Sequence, residues 1–137
     1  MLIFSSSHRY KKFTQGETVQ SFGQLIRKAR KKKGYSQREL ANELGIDFTY
    51  LSKLENDRAD YSPKEEKIRQ LASHLELEAE ELIFLSGRLP EGEEDFVKQH
   101  YKTMPTLFRR MRENPKFAQK IFQEAIKEEK RGKSADF

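Results

Sequence analysis

A chain of 137 residues has room for one domain with an extension, or for two very small domains, and leaves little for a large enzyme cleft. Charged residues make up 36% and hydrophobic residues 35%, with no Cys, which implies a small core built from helices with solvated outer faces and excludes disulfide frameworks, Cys-based zinc sites and thiol catalysis. The net charge of +5 favours an acidic partner and is unevenly spread: nine Lys or Arg against one Glu in residues 1–34, one base against eight acids in 76–95, and eleven bases against five acids in 96–137.

Residues 1–20 show no sustained period and read as a basic flexible arm, with Phe4, Tyr10 and Phe13 available to pack. The opening Met-Leu-Ile-Phe is too short for a signal peptide, and no apolar run approaches the roughly 20 residues that span a bilayer. The expectation is therefore a cytoplasmic chain without a membrane partner.

From Ser21 the apolar residues Phe22, Leu25, Ile26 and Ala29 recur at helical spacing, and Gly34 suits the residue just past a helix end. Ser21 with Gln24, Ser36 with Glu39 and Ser62 with Glu65 each have the spacing of a capping box and mark three helix starts. The second helix is predicted over about 37–44 and the third, after Gly45 and Ile46, over about 47–56. The fourth is placed with Pro63 as its first residue, burying Ile68, Leu71, Ala72 and Leu75. A fifth, near 78–86, uses Leu82, Ile83 and Leu85 and stops at Gly87 and Pro90.

No segment alternates with period 2, so the chain reads as all-α. Beyond residue 91 the apolar pattern continues with Phe96, Val97 and Tyr101, breaks at Pro105, and resumes with Leu107, Phe108 and Met111. Asn114 and Pro115 form an N-cap and first-turn pair opening a last helix with the stripe Phe117, Ile121, Phe122, Ala125 and Ile126, which Gly132 is expected to close.

Residues 37–56, Gln-Arg-Glu-Leu-Ala-Asn-Glu-Leu-Gly-Ile-Asp-Phe-Thr-Tyr-Leu-Ser-Lys-Leu-Glu-Asn, suit two short helices joined by a tight turn. Leu40 and Leu44 supply the inner face of the first, Ala41 allows a close crossing, Gly45 takes the left-handed turn position, and Ile46 plugs the corner. With Leu51 and Leu54 inward, about 100° per residue turns Thr49, Ser52 and Lys53 outward, with Phe48 at the edge.

This pattern, with the Gly-Tyr-Ser-Gln before it, resembles the Cro/C1-type helix-turn-helix of the Xre family of bacterial and phage regulators over about 22–89. The resemblance implies a five-helix lambda-repressor-like DNA-binding domain over 21–90, followed by a C-terminal helical extension over 91–137. It also implies a second paired helix lying in the major groove, with Phe48, Thr49, Ser52 and Lys53 as candidate base readers. Lys53 suits guanine O6 or N7, Thr49 and Ser52 suit either kind of base edge, and Phe48 suits a thymine methyl.

By the same resemblance Gln37 is a phosphate contact, joined by Tyr50, Asn56 and Arg58, with Lys31 and Lys33 adding longer-range attraction. Arg30 and Glu55 look like a family pair that forms an internal salt bridge, structural in role together with Ala41 and Gly45. Family members often carry Gly where Asp57 stands. Asp57 tolerates a left-handed backbone, yet with Asp47, Glu55 and Asp60 it is expected to weaken the local field.

His8, His74 and His100 are widely separated and no metal-binding or phosphate-loop motif occurs, so neither enzyme chemistry nor a metal or cofactor is expected. The reading is a double-stranded DNA-binding transcriptional regulator, expected to act as a repressor on a palindromic operator, paired as a homodimer through Phe108, Phe117, Ile121, Phe122 and Ile126. The alternative is a protein-interaction module, an antitoxin or bridging coactivator, that docks a protein partner on the same tail and keeps the helix-turn-helix as scaffold.

Overall fold

The computed structural model describes residues 20–135; the basic arm expected over 1–20 lies outside them but for Gln20. The chain divides into two units, with the break between Glu94 and Asp95. Among the described residues there is no strand, and no helix is long and apolar enough to cross a membrane.

The first unit holds five helices: α1 Phe22–Lys33, α2 Gln37–Leu44, α3 Phe48–Glu55, α4 Glu65–Leu75 and α5 Ala79–Leu85. Ser21 and Ser36 both form complete capping boxes, satisfying orphan amides of α1 and α2 in the way their sequence spacing predicts. Gly34 and Gly45 close these helices in the left-handed region. The third predicted box does not form. Lys64, not Ser62, is the N-cap of α4, and it makes no side-chain cap bond. The carbonyls of Ser62 and Pro63 instead accept from the Arg88 guanidinium, which holds Pro63 outside the helix.

The core collects the inward stripes of all five helices, with Ile26, Leu40, Leu51, Ile68, Leu82 and Ile83 almost wholly removed from water. Each such side chain contributes roughly 1.5–3 kcal/mol by burial. α1 packs on α3 and α4, α2 on α3 and α4, and α4 on α5. Ala41 is buried where α2 and α3 meet, and Ile46 packs at the corner of the turn. Lys67 reaches back from α4 and donates to the Leu44 carbonyl at 2.6 Å, satisfying an end that Gly45 alone would leave open.

α6, Glu91–Gln99, runs across the break between the units. The second unit contains α7, Met104–Glu113, and α8, Pro115–Ala135, packed on each other. Pro105 lies in the first turn of α7, where its missing N–H costs nothing, so the break in pattern is a helix start. Asn114 Oδ1 accepts from the Phe117 N–H, as expected of an N-cap. Gly132 does not close α8, which continues to Ala135; Gly132 lacks the positive φ that ends a helix, and a helical Gly costs only about 1 kcal/mol. No residue over 95–132 is buried.

Candidate nucleic-acid interface

The two helices α2 and α3 meet through Gly45, Ile46 and Asp47. Gly45 adopts φ 65°, and the Ile46 N–H returns to the Ala41 carbonyl at 3.0 Å, so the chain reverses within three residues. Asp47 then caps α3, its carboxylate accepting from Thr49 N–H at 2.7 Å and Tyr50 N–H at 3.3 Å. Its charge is thus spent on the positive end of α3 rather than projected outward.

Leu51 and Leu54 are buried, which turns the opposite side of α3 to solvent. Thr49 and Lys53 are exposed and Ser52 is half-buried. Among the described residues their side-chain polar atoms have no partner, so they keep their hydrogen-bonding capacity for another molecule. Phe48 stands at the edge of this face, 36% exposed, with the Arg38 guanidinium 4.4 Å above its ring. Arg38 is a cation beside α3 that spacing alone did not reveal, because it lies on α2, ten residues before its aromatic partner.

Glu55 is the polar centre behind α3. It is 2% exposed, and its carboxylate accepts from Arg30 Nε at 2.7 Å and Arg30 Nη2 at 3.0 Å. Arg30 Nη1 also donates to the Tyr35 carbonyl, and Gln37 Nε2 donates to Glu55 Oε1 at 3.0 Å. The Arg30–Glu55 pair therefore joins α1 to α3 and fixes the start of α2. The Gln37 amide nitrogen faces this centre while its backbone stays in the first turn of α2.

The C-terminal end of α3 is secured by Asp57. Asp57 adopts φ 55°, and Arg58 N–H returns to the Lys53 carbonyl at 2.8 Å. Its carboxylate accepts from the Ser21 hydroxyl at 2.6 Å and the Gly23 N–H at 3.0 Å, sitting at the N-terminus of α1. A Cβ at Gly23 would lie 2.7 Å from both Asp57 Oδ1 and the Glu55 carbonyl, so only Gly permits this approach. Of the four carboxylates expected to weaken the local field, Asp47, Glu55 and Asp57 are engaged internally, and Asp60 is exposed.

The remaining phosphate candidates divide by environment. Arg58 and Lys31 are exposed. Lys33 pairs with Glu76 at 2.7 Å, and this pairing lowers the Glu76 carboxyl below its ordinary range. Asn56 donates to the Ser52 carbonyl and accepts from Arg27. Tyr50 stacks on Tyr61, ring centroids 4.9 Å apart, and its hydroxyl donates to the Tyr61 carbonyl at 3.0 Å. Burial, with a smaller push from Tyr61 and an opposing pull from Arg88, raises the Tyr50 phenol to about 12, so it remains a donor at neutral pH.

A helix-turn-helix family model matches residues 26–82, the span that contains α2, the turn and α3. Residues 26–82 form a helix-turn-helix domain. The domain is similar to the HTH-type transcriptional regulator SlrR of Bacillus subtilis (strain 168), 35% identical over 78 residues, covering 54% of this chain and 51% of that protein. The chain thus spans about half the length of this curated relative. A solved structure titled SinR protein/SinI protein complex matches at 27% identity and a TM-score of 0.43, covering 82% of this chain and 98% of that one. Among the described residues, no group of three or more His, Cys, Asp or Glu could hold a metal ion.

Proposed function

We propose that the chain is a sequence-specific regulator of transcription that binds double-stranded DNA, acting as a repressor. The observation that carries this reading is the solvent face of α3: Thr49, Ser52 and Lys53 lie opposite Leu51 and Leu54, on a helix fixed by the Arg30–Glu55 pair. Thr49, Ser52, Lys53 and the ring of Phe48 read base edges in the major groove. Arg58, Tyr50, Lys31 and the first turn of α2 position the reader on phosphates, Gln37 through its backbone end, with Asn56 and Lys33 contributing once released from Arg27 and Glu76.

Selection from random duplexes followed by sequencing tests this. A defined motif is expected, and replacement of Thr49, Ser52 and Lys53 together by Ala should abolish it while the helical circular dichroism is kept. A population that stays random after selection with the full chain sinks the reading. Affinity should fall with salt by roughly 0.9 log unit per log unit for each phosphate neutralised.

The second unit supports pairing. Phe108, Ile121, Phe122 and Ile126 are exposed, from 39% to 53%, on helices with no buried side chain among the described residues. A second copy covering this stripe yields a homodimer and a palindromic operator with half-sites about one turn apart. Phe117, half-buried under the Arg110 guanidinium at 4.3 Å, sits at its edge. A protein partner on the same stripe is the competing reading. A chain that sediments as a monomer at micromolar concentration and copurifies with one stoichiometric protein favours it.

A further inference from the structure

We infer that Arg88 is a positioning residue for DNA binding: it fixes the strap Tyr61–Pro63 to the segment that follows α5, and through the strap holds Tyr50 on the reading helix in place. The inference rests on the DNA-binding reading above. Three consecutive carbonyls of the strap each meet a side-chain donor: Tyr61 from the Tyr50 hydroxyl at 3.0 Å, Ser62 from Arg88 Nη2 at 3.2 Å, and Pro63 from Arg88 Nε at 2.6 Å. Stacking of Tyr61 on Tyr50, with the rings 20° from parallel, locks the strap to α3 over the same stretch.

The strap lies between helices, so its carbonyls have no helical N–H to satisfy them. A guanidinium presents two donors in a fixed plane and serves adjacent carbonyls at once, which a lysine ammonium on a flexible stem does not reproduce. Arg88 also works from a fixed base. Gly87 takes φ 88° and the Arg88 N–H returns to the Ile83 carbonyl, ending α5 in a defined direction. Three residues on, the Glu91 N–H donates to Glu65 Oε1, and Arg69 holds the Glu65 carboxylate at 3.0 Å. The segment from Arg88 to Glu91 is thus tied to the strap and to the first turn of α4. Tyr50 is set before any DNA arrives, which removes an ordering cost from binding.

A plain cation at this position would act through its charge, and Arg88 as inferred acts through its fork. Arg88→Lys separates the two. The full chain, Arg88→Lys, Arg88→Met, Tyr61→Leu as the reference for a lost stack, and Lys31→Met as the reference for one lost surface charge are compared. The chain has five Tyr and no Trp, so near-ultraviolet circular dichroism at neutral pH, read at wavelengths beyond the phenylalanine bands, reports the tyrosine environments.

Both Arg88 variants should lose near-ultraviolet signal in the same sense as Tyr61→Leu, keep their helical signal, and bind the selected duplex roughly tenfold more weakly, the scale of one charge-assisted hydrogen bond. An Arg88→Lys chain with wild-type tyrosine signal and wild-type affinity overturns the inference. So does an Arg88→Met chain that weakens no more than Lys31→Met with its tyrosine signal intact. If Arg88→Met fails to fold, Arg88→Lys decides alone. If the wild-type chain selects no duplex, the DNA-binding reading fails, and the tyrosine signals still decide whether Arg88 holds the strap.

Discussion

The two units use amphipathic helices in opposite ways. In the first, helices of 7 to 12 residues each send a narrow stripe into one core, and 14 apolar side chains are buried. In the second, α8 runs for 21 residues, yet not one side chain over 95–132 is buried. Helix length is therefore a poor guide to self-sufficiency. Short helices stand here because caps, left-handed closures and the Arg30–Glu55 pair fix their ends and crossings, whereas the longer helix leaves Ile121, Phe122 and Ile126 exposed.

The sharpest way to break this contrast is to remove what joins the first unit. Arg30→Ala leaves Glu55 buried with its bidentate partner gone, and should cost about 3–5 kcal/mol, read as a lower urea midpoint. Gly23→Ala should cost about 1–3 kcal/mol, because the added methyl pushes α1 off the end of α3. In the second unit, Phe122→Ser with Ile126→Ser should change the unfolding of the first unit by no more than about 0.5 kcal/mol. The same double variant should lower the sedimentation coefficient if the stripe joins two copies. An unchanged coefficient, with wild-type DNA affinity, would remove the stripe from the pairing proposal.

The smallest effect is a dependence on pH. Glu39 is held below its ordinary 4.5 by hydrogen bonds from the Ser36 backbone and side chain, more than desolvation raises it. A carboxyl lowered on folding stabilises the fold above its unfolded value and loses that contribution as pH falls through the folded value. Glu39→Gln should therefore flatten the loss of stability below pH 4.5, measured as the difference in urea midpoint between pH 6 and pH 3.

What could be read from the sequence follows from how far apart the interacting residues stand. The capping boxes at Ser21 and Ser36, the Asn114 cap and the Gly45 turn involve residues within five positions of each other, and the structure forms all of them. The outward face of α3 was legible because Leu51 and Leu54 fix its rotation. Ser62 with Glu65 had the same local spacing and failed because Arg88, 25 and 26 residues away, takes the carbonyls on which a helix start there would draw. Arg38 over Phe48 and Asp57 on Gly23 were illegible for the same reason: each joins separate elements. The sequence alone gives Tyr61 no role, although it stands eleven residues after Tyr50, on which it stacks.

The Asp57 carboxylate bound to Ser21 and Gly23 also bears on how α3 opens. It joins the last turn of α3 to the first turn of α1 across 34 and 36 residues. The end of α3 therefore cannot fray without releasing the start of α1, and the two should open as one cooperative unit. Amide exchange would show this as matched protection of the Gly23 and Asn56 N–H groups, and Asp57→Ala would lower both while leaving the Ile68 amide on α4 protected. An operator that contacts only α3 would then slow exchange at the start of α1.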